Sequence, residues 1–482
     1  MIVHVNYIPE PRTAAASGLL ATLFALLEEG GADPGLLVRL RVHLDWVQYR
    51  QNFREPVMVR RAITGRLEAS PSAELAIDIR QARPETFREE LIRALEELRP
   101  DAPEAAGRLA LENFGACRSS LIWEFNRLFW QNLALWEQAS GRNYEQALPG
   151  GKSDAHHPEA VADSAAEFWA LLRELEGRNQ LPPEIFVLEI GVGSGIRARL
   201  WLDRFKALDS ERGSGYYPRV RFLLSDYSLS ILDRAEAAVR EHRDVISLVP
   251  LDALNPYKTL SFLRYKILQV HLTNVYDNLP DDELVRRGGR FYLVETRAYF
   301  PAEDARRLGE TFDIQLEDLP RTVDKFLQVG PDYFQDRARG LAFWQAAWAG
   351  LRLEERLISL DELADPPLPV GLDPAHLEDL LQEAPGDIRF HLSSGAVESF
   401  LNTLPLLHTR GFLQVQDIFV TQFEQYRQGF RGPGKLDGSV LNWVNGALLR
   451  EVGARAGYDV HIVPFRYREG SPTSILSTTQ RE

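Results

Sequence analysis

The chain of 482 residues is 45% hydrophobic and 26% charged, a globular balance that excludes extended disorder and fibrous structure. Its net charge of −14 argues against a polyanion as the main partner, so no nucleic-acid partner is expected. The single cysteine, Cys117, excludes an intramolecular disulfide and a thiolate metal cluster.

In chain order, the uncharged run from Thr13 to Leu27 falls short of the roughly 20 residues a membrane helix needs. It reads as a buried helix rather than a signal segment. No other stretch is apolar enough to span a bilayer, so a cytoplasmic protein with no membrane partner is expected. Glu85 to Arg99 and Arg118 to Ala139 carry apolar residues at helical spacing. The aromatic residues of the second stretch, Trp123, Phe125, Phe129, Trp130 and Trp136, read as core. Tyr144 to Glu159 is broken by Pro, Gly and Asp and reads as a loop. Adjacent residues rarely point at one ion, so His156 and His157 are read as loop residues and no metal is expected.

From Ile185 the pattern becomes strand, turn and helix, repeated. Apolar runs at Ile185 to Ile190, Val220 to Ser228, Val245 to Leu254 and Ile267 to Pro280 predict four strands, with helices at Ile196 to Leu208 and Leu229 to His242. Such alternation predicts a parallel sheet covered by helices. Gly289 to Phe300 reads as a strand pair or hairpin arm, and residues 301 to 386 as largely helical. Gly411 to Val420 is a fifth strand, and two more close the chain. The domain reading is a mainly helical N-terminal region at 1–160, an α/β core at 161–300 and 387–482, and a helical insertion at 301–386 between strands four and five.

The most informative segment is Val187 to Leu200, where Gly191, Gly193 and Gly195 follow a strand and precede a helix. Glycines there allow a tight turn and close approach of a ligand to backbone N–H groups. The dinucleotide fingerprint needs a further glycine at position 196, where Ile196 stands, which disfavours a dehydrogenase.

With Glu189 in front, this loop resembles the first motif of class I S-adenosylmethionine-dependent methyltransferases. That resemblance implies a Rossmann-like seven-stranded α/β fold and S-adenosyl-L-methionine as cofactor. It implies ribose binding by Asp226 after strand two, an adenine contact by Asp252 after strand three, and support of the methionine end by Glu189. Thr273, at the end of strand four, is counted with the cofactor-binding residues.

Over about residues 160–482 the chain further resembles the MidA-like methyltransferases, the group that includes the mitochondrial complex I assembly methyltransferase. The matching positions are Asp277, Leu279 and Pro280 after strand four, Asp417 after strand five, and Asp437 with Asn442 in a later loop. Two positions depart: Thr273-Asn274 replaces the family's Asn-Glu, and Asp417-Ile418-Phe419 replaces its Asp-Tyr-Gly. The resemblance implies methylation of a protein side chain, such as arginine, although Asn274 removes the carboxylate that would pair with a guanidinium.

Asp277 is the first candidate for general base or acceptor-orienting carboxylate, with Asn274 and Tyr276 shaping the pocket. Asp277 could instead simply cap a turn. A small-molecule methyl acceptor is the alternative, and a cofactor-binding scaffold that has lost catalysis is a third reading. The N-terminal and inserted helices are read as a lid, a protein-docking element or a homodimer interface.

Overall fold

A computed structural model describes residues 2–5, 13–31, 35, 38, 40–49, 51–63, 73–98, 107–148, 151, 153–363, 368–429 and 431–481. The strand-helix alternation of the second half folds into one sheet of seven strands. In chain order these are β1 (Ile185–Ile190), β2 (Val220–Asp226), β3 (Ile246–Pro250), β4 (Ile267–Thr273), β5 (Leu407–Asp417), β6 (Tyr458–Pro464) and β7 (Ser474–Gln480). Across the sheet they run β6-β7-β5-β4-β1-β2-β3. Only β7 is reversed, pairing antiparallel with both β5 and β6. This order, with a reversed strand inserted beside β5, is the Rossmann-like class I methyltransferase sheet.

Side-chain alternation along each strand divides the core into two layers. Ile185, Val187, Phe222 and Leu224 face α1 (Pro158–Gly177), α2 (Ile196–Arg212) and α3 (Leu229–Ala238). Leu188, Ile190, Val270, Leu272, Leu413 and Val415 face α4 (Ser394–Thr403) and α5 (Gly446–Arg455). From β1 the chain runs outward in one direction to β2 and β3, then returns to add β4 on the other side. That reversal opens a crevice at the carboxyl ends of β1 and β4, where open α/β sheets bind ligands.

The expected helices appear at Pro84–Glu97, Leu121–Gln131 and Leu133–Ser140. Thr13–Leu26 is also helical and buries Leu19, Leu23 and Leu26. Trp123, Phe125, Phe129 and Trp136 are buried in the main core, with Trp130 packed at its edge. The segment after them holds two short turns, Tyr144–Ala147 and Asp154–His156. Residues 149, 150 and 152 of that segment lie outside the described residues.

A second sheet was not foreseen. It takes Ile2–Val5, Leu40–Asp45, Ala73–Asp78 and Val57–Ile63 from the N-terminal region and joins them to Arg352–Leu360, Arg290–Pro301, Glu283–Arg287 and Ile388–His391. The expected hairpin arm is real: Arg290–Pro301 pairs antiparallel with Glu283–Arg287. It belongs to this second sheet. The inserted region carries helices at Ala302–Phe312, Leu319–Val329, Arg337–Gly350 and Pro374–Gln382, and adds the strand Arg352–Leu360.

Candidate active site

The glycine loop lies between β1 and α2, and all three glycines have positive φ, at +73°, +54° and +74° for Gly191, Gly193 and Gly195. Their surroundings differ. A Cβ on Gly191 would lie 2.6 Å from Val275 Cγ2, and one on Gly195 would lie 2.8 Å from the Ala235 Cα of α3. A Cβ on Gly193 would meet nothing within 4 Å. Gly191 and Gly195 therefore admit the protein's own packing, whereas Gly193 borders free space.

Asp226 ends β2 beside this loop. Its Oδ1 accepts from the Ser228 N–H at 3.0 Å, and Gly193 N–H approaches its Oδ2 at 3.5 Å. Burial pushes its pKa up to about 6 against the pull of these N–H groups. Gln131 reaches over from the N-terminal helices, donating to the Tyr227 hydroxyl at 3.1 Å, while its carbonyl accepts from Ser228 Oγ. Asp252 stands in the exposed loop after β3, where its Oδ1 accepts from Leu254 N–H at 2.9 Å. The Leu251 N–H donates to the Asp226 carbonyl, which ties that loop to the end of β2.

The loop after β4 covers the glycines from the other side. Asn274 has φ +51° and donates its N–H to the Gln416 carbonyl at 3.0 Å, so β4 turns sharply while still tied to β5. Asp277 and Asp417 then meet at the carboxyl ends of β4 and β5. Asp417 Oδ2 accepts from the backbone N–H groups of Tyr276 at 2.9 Å and Asp277 at 3.3 Å, and its Oδ1 from Ile418 at 2.8 Å. Asp277 Oδ1 accepts from Asn278 Nδ2 at 2.6 Å. Burial pushes both carboxyls up; Asp417 reaches about 7, tempered by its N–H donors, and Asp277 rises further because it faces the Asp417 charge. Both shifts disfavour two charged carboxylates side by side.

Three residues missed as site candidates complete this region. Tyr144 is half-buried near both carboxyls, and its desolvation together with their charges holds its phenol well above the ordinary value. Its ring packs on Trp130 with centroids 4.9 Å apart. Asn442 donates its backbone N–H to the Asp277 carbonyl at 2.8 Å, and its buried Oδ1 has no partner. Arg197, on the first turn of α2, takes the Glu189 carboxylate at 2.8 Å. No local pattern announces Tyr144 or Arg197. Asp417 and Asn442 were visible through the family resemblance alone.

The structure therefore gathers Gly191, Gly193, Gly195, Asp226, Asn274 and Asp277 around the crevice. It directs others elsewhere. Glu189 is buried on the α2 face of β1, neutralised by Arg197, so its carboxylate is not free to support a ligand's charged end. Thr273 Oγ1 lies 2.8 Å from His271 Nε2, back along the same face. Tyr276 packs its ring into the apolar layer beneath α4. Asp437 accepts from Trp136 Nε1 at 3.1 Å and pairs with Arg142, anchoring the N-terminal helices. His156 lies 3.5 Å from Glu145, whose Oε1 accepts from Ser194 Oγ in the glycine loop.

No family model and no curated protein matches the chain. Among solved structures, a Burkholderia thailandensis protein bound to S-adenosyl-homocysteine is 11% identical, with 68% of this chain and 77% of that one covered and a TM-score of 0.42. An uncharacterized protein from the same organism is 13% identical over 74% of this chain and 93% of that one, also at 0.42. The CurJ carbon methyltransferase is 11% identical over 87% of this chain and 77% of that one, at 0.32. At these scores the likenesses carry no weight, and the fold rests on strand order and direction.

Proposed function

We propose that the chain is an S-adenosylmethionine-dependent methyltransferase related to the MidA-like group, acting on a protein side chain. The observation that carries this reading is the crevice at the switch point of the seven-stranded sheet. There the backbone at Gly193 borders free space and the half-buried Asp226 carboxyl lies beside it. These residues fit an adenosyl cofactor: Asp226 would accept from ribose hydroxyls, and Gly193 would let the ligand approach the backbone. When bound, such a cofactor supplies an activated methyl group on sulfur.

The chain's own task is to orient the acceptor, exclude water and take its proton. Orientation is worth up to ~7–11 kcal/mol of barrier, and a positioned base ~10²–10⁴-fold. The Asp277–Asp417 pair is the base in this reading, and it supplies the negative charge that Asn274 no longer offers. A small-molecule acceptor is the second reading. It is favoured by the burial of both carboxyls, 4% and 0% exposed.

Asp277→Asn tests the assignment. Methyl transfer to peptide and small-molecule acceptor panels should fall by at least 10²-fold, while calorimetric binding of S-adenosylmethionine stays within a few fold. Unchanged turnover would remove Asp277 from the chemistry.

A further inference from the structure

Parallel sheets are ordinarily apolar on both faces, but one region of this sheet is not. The register sets Glu189, His271, Gln414 and Ser477 side by side across β1, β4, β5 and β7, on the face that α1 covers. Burial and nearby Arg197 hold the His271 ring neutral. The ring lies 3.2 Å from Gln414 Oε1 and 2.8 Å from Thr273 Oγ1, so both its nitrogens are occupied. Gln416, one position further along β5 on that face, is 4% exposed, and its Nε2 has no hydrogen-bond partner among the described residues.

His271, Gln414, Gln416 and Ser477 floor a cavity of about 600 Å³, within the size range of small-molecule sites. Its opposite wall is α1, which contributes Asp163, Ser164 and Glu167, and its apolar lining comes from Leu171, Phe412 and Ile475. The two walls differ in hydrogen-bonding character. The floor offers the Gln416 amide and Arg197, which gives Nη1 to Glu189. On α1, Asp163 is engaged by Tyr467 at 2.7 Å and Arg466 at 3.3 Å. Glu167 is exposed and makes no hydrogen bond among the described residues; partial desolvation and the Asp163 charge raise its pKa against the pull of Arg466. A donor-bearing floor facing a carboxylate that no hydrogen bond engages suits a ligand that carries both charges.

We propose that this cavity binds a small zwitterion of the amino-acid class. Its carboxylate is received by Gln416 and Arg197, its ammonium by Glu167, and its side chain by the apolar lining. The site lies on the face of the sheet, apart from the crevice at Gly193 and Asp226.

The test uses the full chain with the twenty free L-amino acids, each at millimolar concentration, read by thermal shift and then by calorimetry, with acetate and methylammonium as single-charge probes. At least one amino acid should bind one-to-one, and neither single-charge probe should match it. Glu167→Gln and Gln416→Leu should each weaken that binding at least tenfold, while Asp226→Ala should leave it unchanged. Should Gln416→Leu not fold, Glu167→Gln on the exposed helix decides alone. Binding by none of the twenty, binding that survives these substitutions, or binding lost with Asp226→Ala would overturn the proposal. The Asp226→Ala arm separates it from the cofactor assignment.

Discussion

Gly193 and Gly195 stand two residues apart in one loop, yet they are glycine for different reasons. A methyl on Gly195 would press within 2.8 Å of the Ala235 backbone, so Gly195→Ala forces α2 and α3 apart. A methyl on Gly193 would enter the space assigned to the cofactor. Gly195→Ala should therefore lower the urea midpoint clearly. Gly193→Ala should cost only the ~1 kcal/mol of an alanine held at positive φ while weakening S-adenosylmethionine binding at least tenfold by calorimetry.

The raised carboxyls make their own prediction. Asp417 has a folded pKa of about 7 against an ordinary 3.8. Its protonated form is favoured by folding, so its contribution to stability is fully present below about 4 and lost as pH rises through 7. Urea unfolding at pH 5 and pH 8 should show that loss in the wild type and less of it in Asp417→Asn. Equal slopes would mean that folding does not raise the Asp417 pKa. For Asp226 the consequence concerns binding: protonation below about 6 removes the charged acceptor, so cofactor affinity should fall as pH drops through that value. At this scale the sequence showed which residues could carry chemistry but not where each side chain points. Glu189 and Asp226 both end apolar strands, and only the packing of α2 reveals that Arg197 has claimed the first.

Among elements, β1 was legible residue for residue, because IFVLEI is a strand-length apolar run followed by glycine. The second-sheet strands were not. Val57–Ile63 contains two arginines and Arg352–Leu360 contains two glutamates and two arginines, so neither shows a buried apolar run. Each is stabilised by a partner almost three hundred positions away, Arg61 opposite Arg356. No local pattern encodes such a pairing. Lys435 illustrates the same point on a helix end. Its buried amino group donates to the carbonyls of Trp348 at 2.6 Å and Leu351 at 2.7 Å, closing the helix Arg337–Gly350 from a strand distant in sequence. Lys435→Met leaves those carbonyls unpaired and should cost about 2–3 kcal/mol in urea unfolding.

At the scale of the molecule, buried ion pairs join the N-terminal strands to the inserted ones. Arg60 Nε lies 2.6 Å from Glu355, and Arg389 bonds Glu355 at 2.8 Å and Glu283 at 2.5 Å. Burial pushes the Glu355 carboxyl up, but Arg389 and Arg60 outweigh it and hold it well below the ordinary carboxylate range. Its contribution is present above about 4.5 and lost as pH falls. Glu355→Gln leaves two arginines short of charge and should cost ~3–5 kcal/mol, with the acid-unfolding midpoint moved upward in pH. The N-terminal helices roof the crevice, where Gln131 meets Tyr227 and Tyr144 stands near Asp277 and Asp417, and Asp437 anchors them through Trp136 and Arg142. The chain's alternating strands and helices made the sheet and its crevice readable, while the roof depends on long-range contacts, such as those of Asp437 with Trp136 and Arg142, that composition alone cannot reveal.

The most direct test of the cofactor assignment is calorimetric titration of the purified protein with S-adenosylmethionine, S-adenosylhomocysteine and NAD. One-to-one micromolar binding of the two adenosyl compounds, with none of NAD, is the expected result. No heat from either adenosyl compound, or binding of NAD alone, would contradict the methyltransferase reading.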